Sequence, residues 1–511
     1  MKSLTRTKRT LFCACLSLCA MAQALTSAAQ TTVRLNVTAE TRQKITGFGA
    51  AAMGYLMRPL DDTKLIDMAY GPESKIGLNI LRMEMSPNLI GDVTTPWDTP
   101  YDWHGYLDVV RAAKAHGAII LASPWSPPAV YKTNNSASGG NSEEQGYVHG
   151  KLSQPSKLFT WFNTFLTYMH NNDADVDVVT LQNEPDWWVG YSGCEYTPQE
   201  LHDVVKDYAG RLTKEKFNVR LLGGEPLGFN PEYYRLLLED PETEKYIDLI
   251  GGHVYGNYQC KTNLNTAAGY AEPLGKEVWM TEHIVNPRGD EDTENRYNPT
   301  WHEQLLFAED VNECLINGAT AYVYWYLASE FSFIGDGKVC TTPGNVKDEL
   351  LPRGIIMGQF ARNLKGATQL KWTSNLSSSL TNNVNQNFEM SAFIKGDSLI
   401  VNVIDTLSRE FNLEVTLPYY VDKLHKISST EDALYDETDV EMERGKTFTC
   451  LIPARSFTTL IFHIDDEALS IAAPRETARP VMDDAYYTLD GRRIVNPGKG
   501  VFIRNGKKIV R

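Results

Sequence analysis

Eight times between residues 44 and 366, a short apolar run of strand type is followed by a stretch with helical spacing. The strand-like runs are ITGFGAAA (45–52), LNILRMEM (78–85), AIILASPW (118–125), VDVVTLQNE (176–184), VRLLGGE (219–225), DLIGGHVY (248–255), EVWMTEH (277–283) and ATAYVYWYL (319–327). Segments such as YLDVVRAAKAHG (106–117) and TPQELHDVVKDYAGRLTKEK (197–216) fit amphipathic helices between them. Eight such β-then-α units predict a (β/α)8 barrel, a fold that carries its functional residues at the C-terminal ends of its strands.

After Lys365 the pattern changes to short alternating runs broken by turn residues: NFEMSAFIKGDSLIVNVID, REFNLEVTLP and TFTCLIPARSFTTLIFHI. This predicts an antiparallel β domain without helices. TTVRLNVTAETRQKI (31–45) is also strand-like and could join that domain from the other end of the chain. A turn-rich segment, 472–484, leads to a C-terminal tail whose DG and NG turns separate short strands.

The start of the chain is a separate case. Lys2, Arg6, Lys8 and Arg9 precede LFCACLSLCAMAQAL, and small residues follow in AQALTSAAQ. A charged start, a short apolar run and a small-residue exit describe a secretory signal peptide, too short for a comfortable membrane span. An N-terminal anchor is the alternative. Cys19 suggests a lipoprotein site, but the bulky Leu18 before it argues against one. The protein is expected to be exported.

Export removes four positive charges and takes the net charge from −15 to −19. So acidic a chain repels phosphate backbones, and no basic aromatic stripe offsets this, which excludes nucleic acid as a partner. Three of the eight cysteines, Cys13, Cys15 and Cys19, leave with the signal. Cys194, Cys260, Cys314, Cys340 and Cys450 remain, an odd number with no CxxC, which fits neither a disulfide framework nor a zinc cluster. Cys194 and Cys260 could pair; free thiols are the reading here. GGEPLG lacks the spacing of a nucleotide loop, and there is no HExxH or GxSxG.

Two strand ends carry the chemistry. DVVTLQNEPDWW (177–188) runs apolar and then delivers Gln182, Asn183 and Glu184 before Pro185 stops it. EVWMTE likewise delivers Glu282 at the end of strand seven. Two carboxylates facing each other across a barrel mouth can break a glycosidic bond, one protonating the leaving oxygen and the other attacking or supporting the anomeric carbon. Either glutamate alone could be a strand-end salt bridge; two at matching ends argue for catalysis.

QNEPDW and WMTEH, with ITGFGAA, SPWSPP and PARSFTTLIF in order around them, resemble glycoside hydrolase family 30, most of all its xylanase branch, over roughly residues 42–463. The resemblance implies a (β/α)8 barrel with a β-sandwich made from both chain ends. It implies retention of anomeric configuration, with Glu184 as acid/base and Glu282 as nucleophile, and no metal or cofactor. The expected organisation is a signal peptide over 1–29, a strand joining the sandwich over 30–44, the barrel over 45–366, the sandwich over 367–464, and a linker with a β-rich tail over 465–511. That tail is similar to the sorting tails of some Gram-negative secretion systems, and a small structural hairpin is the other reading.

Around the pair, Asn183 can donate to a sugar hydroxyl beside the reacting carbon, and Tyr255 and His253 end the strand next to the nucleophile. Tyr255 could hydrogen-bond Glu282. Arg82 on strand two is a lone buried-looking cation, expected to partner a catalytic carboxylate. Trp125 and Trp325 can stack on sugar faces or serve as core; Trp187 and Trp188 could border the leaving-group side, with only one pointing inward.

The likeness breaks where uronate-dependent xylanases grip a glucuronic acid side group. They resemble one another in a Tyr two residues after the nucleophile, a Ser five after it and an Arg four beyond the strand-eight Trp. Those positions here are Ile284, Pro287 and Ser329, followed by the acidic Glu330. Losing these groups removes charge-assisted hydrogen bonds worth about 1.5–3 kcal/mol each. Arg288 or Arg296 could replace the arginine, or be solvated. The segment CTTPGNVKDELLP after strand eight looks like an insertion that could close one end of the cleft or decorate the surface. The expected protein is therefore a secreted, monomeric enzyme, periplasmic or on the cell surface, acting on xylan polysaccharide or oligosaccharides. A β-1,6-glucanase and a noncatalytic carbohydrate-binding barrel are the alternatives.

Overall fold

The computed structural model describes residues 32–53, 63–87, 103–140, 149–256, 259–286, 299–328, 331–335, 346–381 and 386–465, with the backbone of four short strands in the C-terminal tail. The signal-like segment, Pro287, Arg288, Arg296, Ser329, Glu330 and Cys340 lie outside these residues.

Strand β1 (Thr32–Lys44) comes first. The closed barrel is then built from β2 (Gly47–Ala51), β3 (Ile80–Glu84), β4 (Ile119–Ser123), β5 (Val178–Thr180), β6 (Arg220–Leu222), β7 (Leu249–His253), β8 (Glu277–Glu282) and β9 (Ala321–Tyr324). All neighbours are parallel, and β9 returns to β2 through Gly47↔Ala321 to Ala50↔Tyr324. These strands read as unbroken apolar runs because both faces are buried, one by helices and one by the barrel interior. Ile80, Leu121, Val178, Leu222, Leu249, Trp279, Ala321 and Val323 fill that interior. The eight predicted strands are therefore all present, as is the predicted barrel-plus-β-domain class.

The predicted strands overran at their C-terminal ends. QNE, for example, lies past the last ladder residue of β5, Thr180. At this rim the backbone bonds to neighbouring loops instead: Asn183 N donates to Pro124 O and Glu184 N to Glu225 O. The helix predicted over 197–216 also ends early. It begins at Pro198 behind a Thr197–Glu200 capping box and stops at Tyr208. A 3-10 turn at Ala209–Arg211, containing Gly210, separates it from a four-residue helix at Lys214–Phe217.

The second body contains β10 (Thr368–Ser374), β11 (Phe388–Lys395), β12 (Ser398–Asp405), β13 (Phe411–Ser429), β14 (Asp436–Val440), β15 (Gly445–Ile452) and β16 (Ser456–Ile464), together with β1. The expectation of a purely antiparallel, helix-free domain is corrected in two places. β1 lies between β10 and β13, antiparallel to the first and parallel to the second, and Ser378–Thr381 forms one helical turn. The 19-residue β13 changes partners along its length: Phe411–Thr416 pairs with β15, and Val421–Ser429 with β16. The two bodies meet where Phe360 of the last barrel helix (Pro352–Leu364) stacks on Phe457 with ring centroids 4.4 Å apart. Gln359 beside it donates to Thr459 and accepts from Ser429.

The tail forms an antiparallel sheet of Tyr486–Tyr487, Arg493–Ile494, Val501–Arg504 and Lys507–Val510. Its predicted DG and NG turns lie outside the described residues. No described helix is long and apolar enough to cross a membrane.

Candidate active site

The mouth of the barrel gathers one buried cation and three buried carboxylates. Arg82 projects from β3 and is fully buried. Its Nη1 donates to Glu282 Oε2 at 2.7 Å and its Nη2 to Asn183 Oδ1 at 2.7 Å. Its Nε donates to Ser123 Oγ at 3.2 Å and lies 3.3 Å from Glu225 Oε1. A planar guanidinium with both edges occupied cannot rotate, so Arg82 fixes its partners relative to one another.

Glu282 ends β8, and Tyr255 OH donates to its other oxygen, Oε1, at 3.0 Å. Glu184 follows β5 on a backbone with φ +45°, a left-handed conformation uncommon outside glycine and of the kind held where a side chain must be aimed. Its Oε1 lies 3.0 Å from His253 Nδ1. His253 ends β7 directly after Gly251-Gly252, where the backbone leaves room for Tyr234. A Cβ at Gly252 would lie 2.5 Å from the Tyr234 hydroxyl, which donates to Gly251 O at 2.7 Å.

Ligating atoms of Glu184, His253 and Glu282 fall within 4.8 Å of one another. A cation drawn to this trio would sit beside the guanidinium of Arg82, whose charge opposes it. Glu184 and Glu282 therefore bring carboxylate oxygens to within 4.8 Å of each other across the mouth, the facing pair of acids that glycosidic cleavage requires.

Burial pushes Glu184 up to about 8, with the charges of Asp186 and Glu225 adding to the rise and Arg82 opposing it. Burial also raises Glu282, against the pull of His253 and Arg82. Burial raises both, but only Glu282 is bonded to the guanidinium, so of the two it is the one favoured to carry the negative charge. Burial lowers His253, which favours the neutral imidazole.

Trp125 and Trp325 stand at 5.7 Å between ring centroids, and the Arg82 guanidinium lies 4.7 and 5.6 Å from their rings. Trp325 is 7% exposed and Trp125 half-buried, so together they back the site as one aromatic wall. Trp187 is 50% exposed on the loop after Glu184, whereas Trp188 is half-buried with its ring 6.0 Å from His149. Thus Trp187 is the tryptophan of the pair that faces solvent.

Ile284 is half-buried against the barrel core. Cys194, Cys260, Cys314 and Cys450 are free thiols, and Cys194 and Cys260 do not pair. Glu225 and Ser123 also belong to this site although no sequence motif singles them out; Glu225 does carry a signal, since it ends a predicted strand as Glu184 and Glu282 do. Tyr191 is a third such residue; the charges of Glu184 and Glu282 both act on its phenol, which burial raises.

Residues 52–327 match the glycosyl hydrolase family 30 TIM-barrel domain, more than half of the chain. Glucuronoxylanase XynC of Bacillus subtilis (strain 168) is 26% identical over 449 residues, covering 84% of this chain and 91% of that protein. The solved glycoside hydrolase family 30 subfamily 8 xylanase Xyn30A of Clostridium acetobutylicum is similar with a TM-score of 0.66 and 26% identity, over 84% of this chain and 99% of that one. Lysosomal acid glucosylceramidase of Mus musculus is 25% identical over 321 residues, 56% of this chain and 60% of its own.

Proposed function

Since this chain belongs to glycosyl hydrolase family 30, we propose that it hydrolyses β-1,4-xylan with retention of configuration, through Glu184 as acid/base and Glu282 as nucleophile. The observation that carries the reading is that Glu184 and Glu282 face each other with carboxylate oxygens within 4.8 Å, of which only Glu282 is bonded to a buried arginine.

In the first step Glu282 Oε attacks the anomeric carbon as the bond to the leaving oxygen breaks. The proton on Glu184 passes to that oxygen. In the second step the Glu184 carboxylate takes a proton from water, whose oxygen displaces Glu282 and restores both groups. Arg82 and Tyr255 hold Glu282 so that one oxygen meets the sugar. Because Arg82 occupies the carbonyl oxygen of Asn183, its amide nitrogen is the group left to donate to a sugar hydroxyl. The aromatic wall of Trp125 and Trp325 supports a sugar face, and Trp187 borders the leaving-group side.

The replacement of the uronate-gripping residues by Ile284, Pro287 and Ser329 supports cleavage of linear xylan without a glucuronate requirement. An apolar, half-buried Ile284 offers no hydrogen bond to a carboxylate. Product profiling should therefore show linear xylooligosaccharides cut as readily as glucuronoxylan. Strict dependence on glucuronoxylan would overturn the uronate-independent reading, and activity confined to β-1,6-glucan would replace the xylan assignment.

The protein's expected place is the periplasm or the cell surface, as a monomer, after removal of residues 1–29. Intact mass and light scattering of protein recovered from the cell envelope should give a chain shortened by about that signal and of single-chain mass. A full-length N-terminus or a dimer mass would contradict it.

A further inference from the structure

A fully buried carboxylate stands beside the proposed chemistry without a part in it. Glu225 closes the run after β6, and its Oε2 accepts from Ser123 Oγ at 2.7 Å. Its Oε1 lies 3.3 Å from Arg82 Nε and 4.0 Å from His253 Nε2. The backbone ties it to the acid/base loop as well, since Glu184 N donates to Glu225 O at 2.9 Å and Glu225 N to Gln182 O at 3.0 Å.

We propose that Glu225 is a positioning residue of this active site, holding the Nε edge of Arg82 so that the Nη edge meets Glu282 and Asn183. The proposal rests on the roles given above to Glu184 and Glu282. Two features separate it from a packing role. Without Glu225 the Nε edge would keep only the Ser123 hydroxyl, whereas here each edge of the guanidinium has its own acid. Moreover, one guanidinium charge is divided between Glu225 and Glu282, which leaves an excess negative charge beside Glu184. The groups acting on Glu184 are Arg82 from β3, Asp186 from its own loop, Glu225 after β6, His253 and Tyr255 from β7 and its exit, Glu282 from β8, and Tyr191. Around Glu225 itself stand Arg82, Ser123, His253 and Tyr234. With His253 neutral, Glu225 and Asp186 are the acids that favour a proton on Glu184.

Glu225→Gln keeps the shape and removes the charge. Its kcat should fall by about 10²-fold, the scale of a misplaced catalytic group, with KM little changed because Glu225 is out of reach of substrate. The basic limb of its pH–rate profile should move to lower pH, and Glu225→Asp should restore that limb. A folded Glu225→Gln protein with the wild-type profile would overturn the proposal, as would a loss of rate that only tracks the folded fraction. Should Glu225→Gln not fold, Ser123→Ala carries the test, with the same displacement expected in smaller size and an unmoved limb counting against it. A crystal structure of either variant gives a readout independent of substrate. The Arg82 guanidinium should tilt out of its wild-type plane and lengthen at least one of its contacts to Glu282 and Asn183, and two persisting 2.7 Å contacts would overturn the proposal even if xylan proved to be the wrong substrate.

Discussion

Glu282→Gln should lower xylan hydrolysis by on the order of 10⁴-fold or more, because an amide cannot form the glycosyl ester on which both steps depend. Glutamine has nearly the volume of glutamate; its carbonyl oxygen can still accept from Arg82 Nη1, and its amide nitrogen can donate to the Tyr255 hydroxyl, the two groups that bond the two oxygens of Glu282 in the wild type. Arg82 also keeps its Glu225 contact, so no uncompensated cation is left buried. The loss should therefore appear in turnover, not in folding, and thermal unfolding should show a melting temperature close to that of the wild type. A direct check is covalent trapping. A 2-deoxy-2-fluoro xyloside with an activated leaving group should add one glycosyl mass to the peptide containing Glu282 in the wild type and none in the variant. Label on another peptide, or a variant retaining a tenth of the activity, would remove Glu282 from the nucleophile's role.

The parts of this site that could be read in the sequence share one property: each is a polar residue at the C-terminal end of an apolar strand. Glu184, Asn183, Glu282, His253 and Tyr255 all meet that rule, and Arg82 stood out as a cation within the apolar run LNILRMEM. The structure brings these six together. Glu225 meets the same rule, yet GGEPLG draws attention to its glycines and proline. What distinguishes Glu225 is its contact with Arg82 and Ser123, more than a hundred residues earlier in the chain, which no local pattern encodes. The choice between Trp187 and Trp188 was equally hidden, because it depends on where the loop after Glu184 turns. In the β domain, the strand-like patterns were visible but the partners were not. β13 carries Pro418 in the stretch between Thr416 and Val421 where its ladder register shifts, and a proline that lacks a backbone donor suits such a break. The helix predicted to Lys216 shows the opposite error, since its apolar period continues past Gly210 although the backbone does not.

Glu184→Gln should separate the two steps that Glu282→Gln abolishes together. Cleavage of xylan, whose leaving alcohol needs a proton, should fall by about 10³-fold, within the range of a lost general acid. An aryl xyloside with an activated leaving group should still form the glycosyl-enzyme at near the wild-type rate and then stall, because no base remains to activate water. The signature is a burst of phenol followed by a slow steady state, and in Glu184→Ala added azide should speed that second phase. Equal slowing on both substrates, with no burst, would make Glu184 a binding residue instead. The pH dependence supplies the second half of the test. The proton on Glu184 is present below its value of about 8 and lost above it, so wild-type activity should fall as pH rises through that value, and Glu184→Gln should lack this limb. Stability should follow with a definite sign. A carboxyl raised on folding from 4.5 to about 8 stabilises the fold fully below 4.5 and loses that contribution progressively as pH rises to about 8. Glutamine has no proton to lose. The melting temperature of Glu184→Gln relative to wild type should therefore climb across that interval and level off above it, whereas a difference independent of pH would mean that Glu184 is already ionised in the folded protein at neutral pH.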